Sequence, residues 1–233
     1  MKMKKLILFF TVCLPTFGTN LTFAASSQVP IDENLNRPHI EKPSIPADPR
    51  GPLPKDASEW DQWIKKHPDP LAKNGGVTSS VIPASITLGP LVNGDIILGA
   101  SPTNGSKSSV PYGYFRHAAM YDSGNGNFIS AMPGIGVYRE TTSFWSNGYN
   151  VVRNMYVTNA SYTQRQSVVQ NAAAHIGEPY NFGSSKTDIS SWYCSKLPWF
   201  EYNKWASIDI DANGGYWVTP DDIYNDSDVT LAW

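Results

Sequence analysis

Hydrolysis through a covalent intermediate needs a nucleophile, a base, and a group that orients the base. The sequence offers a thiol first. Cys194 lies in the stretch from Asp188 to Tyr202, and the only other cysteine is Cys13. Residues 1–24 read as a secretory signal peptide. Met1 to Lys5 is basic, Leu6 to Leu14 is almost wholly apolar, and Thr22 and Ala24 are small residues at the positions a signal peptidase reads. Cleavage after Ala24 would leave Cys194 without an intramolecular partner. An unpaired cysteine in an exported chain is a reactive thiol, an intermolecular bridge or a buried small hydrophobe. A helix starting near Ser191, capped by Ser190 or Ser191, would carry Cys194 in its first turn. Aligned N–H groups there favour a thiolate and offer donors to an oxyanion. Pro198 would then fall past the first turn and kink that helix.

Histidine is the usual base for a thiol. The folded part has His117, near the centre of an expected strand, and His175, in the last turn of an expected helix. A strand histidine can equally be packing, and His175 reads as a surface or satisfied residue. Spacing cannot pair His117 with Cys194, because they are 77 positions apart. A second pattern, Asp209-x-Asp211-x-Asn213-Gly214, matches the first half of a calcium loop, with oxygen ligands at alternate positions and glycine at the sharp turn. The twelfth position is Pro220, where that loop needs a bidentate glutamate. The alternative is a polar turn before a strand at Trp217.

Several elements must position these groups. Residues 25–87 form a proline-rich arm, with a short helix over Ala57 to Lys66 capped by Asp56 or Ser58 and stopped before Pro68. Trp60, Trp63 and Ile64 share one face of it, and the expectation is a linker whose tryptophans cover part of the main domain. That domain, residues 88–233, opens with a strand at Asp95 to Leu98 and continues with strands at Tyr112 to Tyr121, Phe128 to Ala131, Gly136 to Glu140 and Asn150 to Thr158. Asn93-Gly94 and the glycines of Asp122 to Asn127 mark tight turns, which favours an antiparallel sheet. Ser161 and Gln164 fit a capping box for a helix that ends at Gly177. A last strand is expected around Val229 to Trp233.

Composition narrows the function classes. Loss of Lys2, Lys4 and Lys5 with the signal leaves a formal charge of −5. No basic patch points to nucleic acid. No stretch after the signal is long and apolar enough to be a transmembrane anchor. About 209 residues remain, enough for one domain with a core and an appendage.

Six segments in series resemble a known family. They are Gly94 to Leu98, His117 to Tyr121, Phe128 to Val137, Ile176 to Phe182, Tyr193 to Ser195, and Trp217 to Asp222. In that order the chain resembles the permuted branch of the NlpC-type papain-like cysteine hydrolases, which includes YiiX-like proteins and is related to lecithin–retinol acyltransferase. The resemblance covers about Leu88 to Trp233. It implies an α+β, circularly permuted papain-like fold, a small antiparallel sheet packed against helices. It also implies that Cys194 is the nucleophile and His117 the general base. The family's third polar residue, often glutamate, falls on Ser130, whose hydroxyl could set the imidazole tautomer but not stabilise its charge. Glu140 is the nearest downstream carboxylate on a strand, and spacing does not place it beside His117. The implied protein is a secreted or cell-envelope amidase, expected to be a monomer, that cleaves a peptide amide, such as one in a peptidoglycan fragment. It requires no cofactor, with calcium an option at Asp209, Asp211 and Asn213. A lipid ester hydrolase or acyltransferase, or a non-catalytic binding module, is the alternative.

Overall fold

The computed structural model describes residues 37, 39–69, 86–102 and 108–232. The expected signal peptide, Cys13 and Trp233 lie outside the described residues. Six strands form one antiparallel sheet in the order β4-β3-β2-β1-β5-β6: β1 Ile96–Pro102, β2 Phe115–Asp122, β3 Asn127–Met132, β4 Gly136–Glu140, β5 Tyr149–Val157 and β6 Val229–Leu231. Strand β1 therefore lies in the middle, between β2 and β5. It runs on past the expected Leu98 because Gly99 and Ala100 keep pairing with both neighbours.

Alternation along the strands gives each face its own core. Ile96, Leu98, Ala118, Met120, Ile129 and Met155 join the main core, which also holds Val168 and Val169 of α3 (Tyr162–Ala174) and Leu197 and Tyr202 of α4 (Lys196–Ala206). Ile97, Ala119 and Phe128 face the other way and meet Trp145 and Tyr149. Trp145 belongs to α2 (Thr142–Gly148), a helix of about two turns started by the Thr141 hydroxyl, which accepts the Phe144 N–H at 3.2 Å. Its seven residues are too few for a helical period to stand out in the sequence.

Helix α3 begins as the sequence implies. The Ser161 hydroxyl accepts the Gln164 N–H, and the Gln164 side chain accepts the Ser161 N–H at 2.9 Å. Helix α4 does not begin where expected. It starts at Lys196 with Ser195 as its N-cap, so Cys194 sits in the turn just before it. Pro198 is then the third helical residue, where the missing N–H would have no intrahelical partner in any case, and the kink disappears. No strand forms at Trp217. That segment leads into α5 (Pro220–Asn225), whose start is fixed by a second capping box between Thr219 and Asp222.

The described arm belongs to the same compact unit as the domain. It carries a 3-10 turn at Ala57–Glu59, entered through Asp56, and then α1 (Trp60–Lys66). The Thr230 hydroxyl of β6 accepts the Ile40 N–H at 2.7 Å and donates to the Ile40 carbonyl at 2.9 Å. Trp60 packs on Phe182 and Trp217 at ring-centroid distances of 5.3 and 5.5 Å.

Candidate active site

His117 occupies an irregular stretch of the sheet. It pairs with Gly99, and the β1–β2 register shifts between Gly99 and Ala100. The imidazole lies flat on Trp145, with centroids 4.9 Å apart and planes within 8°, and Tyr149 lies beyond at 6.2 Å. Gly99 makes room for this stack, since a Cβ there would stand 2.7 Å from the Tyr149 ring. The ring is thereby fixed in orientation before any hydrogen bond is counted.

Glu140 holds one edge of it. His117 Nε2 lies 2.7 Å from Glu140 Oε1, with both side chains fully buried. Strand register explains the meeting. Tyr121 of β2 pairs with Phe128 of β3, and Phe128 pairs with Glu140 of β4. Positions 117, 128, 130 and 140 therefore share one face of the sheet, the face of Trp145. Tyr138, two residues before Glu140, also faces this carboxylate, and burial together with the carboxylate's charge holds its phenol protonated well above the ordinary range.

Ser130 was the expected orienting residue. It does lie on this face, with Oγ 3.5 Å from His117 Nε2, but its hydroxyl donates to the Ala118 carbonyl at 2.6 Å. The close contact to the imidazole belongs to Glu140. A hydroxyl has one proton to give, and here a strand carbonyl takes it.

The other ring nitrogen, Nδ1, is buried with no close partner among the described residues. Besides Glu140, Cys194 is the group that bears on the ring. Burial alone would lower the His117 pKa, but the charges of Glu140 and Cys194 outweigh it and raise the value to about 9. Thiol and imidazole thus meet in a fully buried setting, with both residues 0% exposed. Cys194 is a free cysteine. Tyr149 and Tyr180 each have the phenol pKa raised, first by burial.

The residues leading to Cys194 are clipped in place by Lys196. This buried ammonium donates to the Ser191 carbonyl at 2.7 Å and to the Asp188 carbonyl, and lies over the rings of Trp192 and Tyr193. Burial lowers its pKa to about 8. His175 supports the same segment from the far side. It sits between Glu178 and Glu201, 3.0 Å from each, with Trp192 4.2 Å away, centroid to centroid. It is a satisfied structural histidine, held between two carboxylates.

The calcium pattern is occupied from within. Asp209 Oδ1 accepts the Asp211 N–H at 3.1 Å and the Trp199 indole N–H at 2.8 Å. Asp211 Oδ1 accepts from the Asn213 and Gly214 N–H groups, and its other oxygen pairs with Lys186. Asn213 donates to Asp222 and accepts from the Gly215 N–H. The oxygens thus serve a turn and a lysine, and among the described residues no group of three or more His, Cys, Asp or Glu side chains is arranged to hold a metal.

Residues 91–232 match the family model described as "Permuted papain-like amidase enzyme, YaeF/YiiX, C92 family". The chain belongs to this family. Its members are papain-like cysteine amidases, and the order seen here, histidine strand before cysteine turn, fits the permuted arrangement. The chain is also 29% identical over 131 residues to the uncharacterized protein YycO of Bacillus subtilis strain 168, a match that spans 54% of this chain and 51% of YycO. It thus spans about half the length of that curated relative. Among solved structures it is similar to a protein titled metalloprotein yiiX from Escherichia coli O157:H7, at 19% identity and a TM-score of 0.47, covering 65% of this chain and 97% of that one.

Proposed function

We propose that this chain is an exported cysteine amidase in which Cys194 attacks a peptide amide, His117 moves the proton and Glu140 orients His117. The observation that carries the reading is the 2.7 Å contact between His117 Nε2 and Glu140. A carboxylate there fixes the tautomer, supports the imidazolium that accompanies a thiolate, and leaves Nδ1 for the sulfur. In the first step the thiolate adds to the amide carbonyl, and the C–N bond breaks as the imidazolium gives its proton to the leaving amine. Water, deprotonated by the same imidazole, then releases the acid and restores the thiol. The Cys194 N–H, in the turn entering α4, is the expected oxyanion donor.

A carboxylate in the orienting position supports catalysis over the non-catalytic alternative, since a serine there could not stabilise an imidazolium. The substrate class proposed is a peptide amide of the cell wall, reached by a chain whose first 24 residues read as a secretory signal. The test is product analysis with muropeptides beside short-chain thioesters, using the wild type and Cys194→Ala. Release of a peptide fragment, lost in the alanine variant, is the expected result. Turnover of thioesters alone would move the protein to the acyl-transfer class.

A further inference from the structure

Both Cys194 and His117 are 0% exposed, so no substrate carbonyl reaches the sulfur in this conformation. Two loops meet beside the thiol. The Tyr180 backbone bridges to Trp192, two residues before Cys194, with the Asn181 N–H donating to the Trp192 carbonyl at 2.8 Å, and the Tyr180 hydroxyl donates to the Ser109 carbonyl. The Ser109 hydroxyl in turn donates to the Ala131 carbonyl at 2.8 Å. The loop through Ser109 and the loop through Tyr180 are thereby joined.

The arm grips both loops close to that junction. On the first loop, the Gly113 N–H donates to Asp48 at 2.9 Å, the Tyr112 hydroxyl donates to the Gly51 carbonyl at 2.9 Å, and Arg50 donates to the Pro111 carbonyl at 2.7 Å. On the second, Trp60 packs on Phe182, two residues beyond Tyr180. Phe182 in turn packs edge-on against Tyr193, the residue before the nucleophile, at 5.1 Å. Trp60 and Trp63 stack at 5.6 Å, and Trp63 meets Tyr112 at 5.9 Å, which links the two grips through α1. Asp48 is held ionised within this set: burial would raise its pKa, but the Arg50 guanidinium and the N–H groups of Arg50 and Gly113 bring it down to about 2.

We propose that residues 48–63 are an autoinhibitory strap, which holds the Ser109 and Tyr180 loops together beside the buried Cys194 turn and keeps the enzyme latent until the arm is displaced. The proposal rests on the amidase reading only for the word latent, since the closure of the thiol is a statement about access.

Iodoacetamide labelling of Cys194 in the intact chain separates access from turnover. Trp60→Ala removes the grip on Phe182 and Trp217, and loss of contacts of this kind should raise the labelling rate about tenfold. Arg50→Met cuts the tether to Pro111 without touching the Trp60 contacts, so it serves if the tryptophan variant folds poorly. It should raise the rate in the same direction. Denaturant titration of each variant supplies the control. The strap is overturned if both variants label at the wild-type rate, or if labelling rises only by the factor by which the global unfolding equilibrium rises. Faster labelling with no amide turnover in any variant would keep the strap and overturn the amidase assignment. Wild-type labelling rates with robust turnover would do the reverse.

Discussion

At the scale of single residues, position 140 carries more of the proposed chemistry than position 130. Glu140→Gln keeps the shape but removes the charge that supports an imidazolium, so kcat should fall by about a hundredfold or more. Ser130→Ala should cost no more than about tenfold, because the lost hydroxyl donates to a strand carbonyl and not to the ring. Steady-state kinetics on both variants checks the ranking, and a larger loss at Ser130 would reverse the assignment. The raised His117 pKa has a consequence for stability as well. A histidine whose pKa is higher folded than unfolded contributes stability that is complete below about 6.5 and is lost as pH rises through about 9. Unfolding free energy should therefore decline between those values in the wild type, and Glu140→Gln should flatten the decline. Cys194 and His117 were legible in the sequence as a thiol and an imidazole with a family precedent for their order. Glu140 was visible as a strand carboxylate but could not be placed, because facing His117 is a matter of register across two hairpins. The pairs Tyr121 with Phe128 and Met132 with Gly136 set that register. Counting back from the tight turn between Met132 and Gly136 would have put Glu140 opposite Phe128.

At the scale of elements, the strands and the capping box of α3 were readable because their signals are local: alternation, turn glycines, and a serine three residues before a glutamine. Helices α2 and α5 were not, since each is too short for a helical period to stand out, although the caps at Thr141 and at Thr219 with Asp222 are local signals. The misplaced start of α4 shows the same limit. Lys196 ties the Asp188 and Ser191 carbonyls into a loop, and that loop, not a serine cap near 190, delivers Cys194 to the helix. Strand β1 supplies a test of how the sheet holds the histidine. Gly99→Ala would press a methyl group into the Tyr149 ring, which belongs to the stack beneath His117. Overpacking of this kind costs about 1–3 kcal/mol. The melting temperature should fall, and activity measured well below the melt should fall too, because the ring that orients the base has moved. A variant that loses stability but keeps full activity would show that the stack only supports the fold.

At the scale of the whole molecule, the arm behaves as part of the domain and not as a spacer. Its contact at Ile40, on Thr230, uses one hydroxyl as both donor and acceptor. Thr230→Val retains the shape and deletes both bonds, and should destabilise the attachment by about 1–3 kcal/mol. Hydrogen exchange should then quicken at residues 39–50 while β1 and β2 stay protected. Equal quickening across the sheet would mean that arm and domain open only together.

The burial of Cys194 has another side. The thiolate that makes a good nucleophile is also the form that peroxide and disulfide reagents attack, and overoxidation to sulfinic acid destroys it for good. A sulfur with no exposed surface is out of reach of such reagents as well as of substrate. The same closure would let the protein outlast exposure to oxidant with its thiol intact and spend that thiol only once opened. Peroxide treatment of the intact chain followed by mass spectrometry should find Cys194 unmodified, and the Trp60→Ala chain should carry the oxidised form.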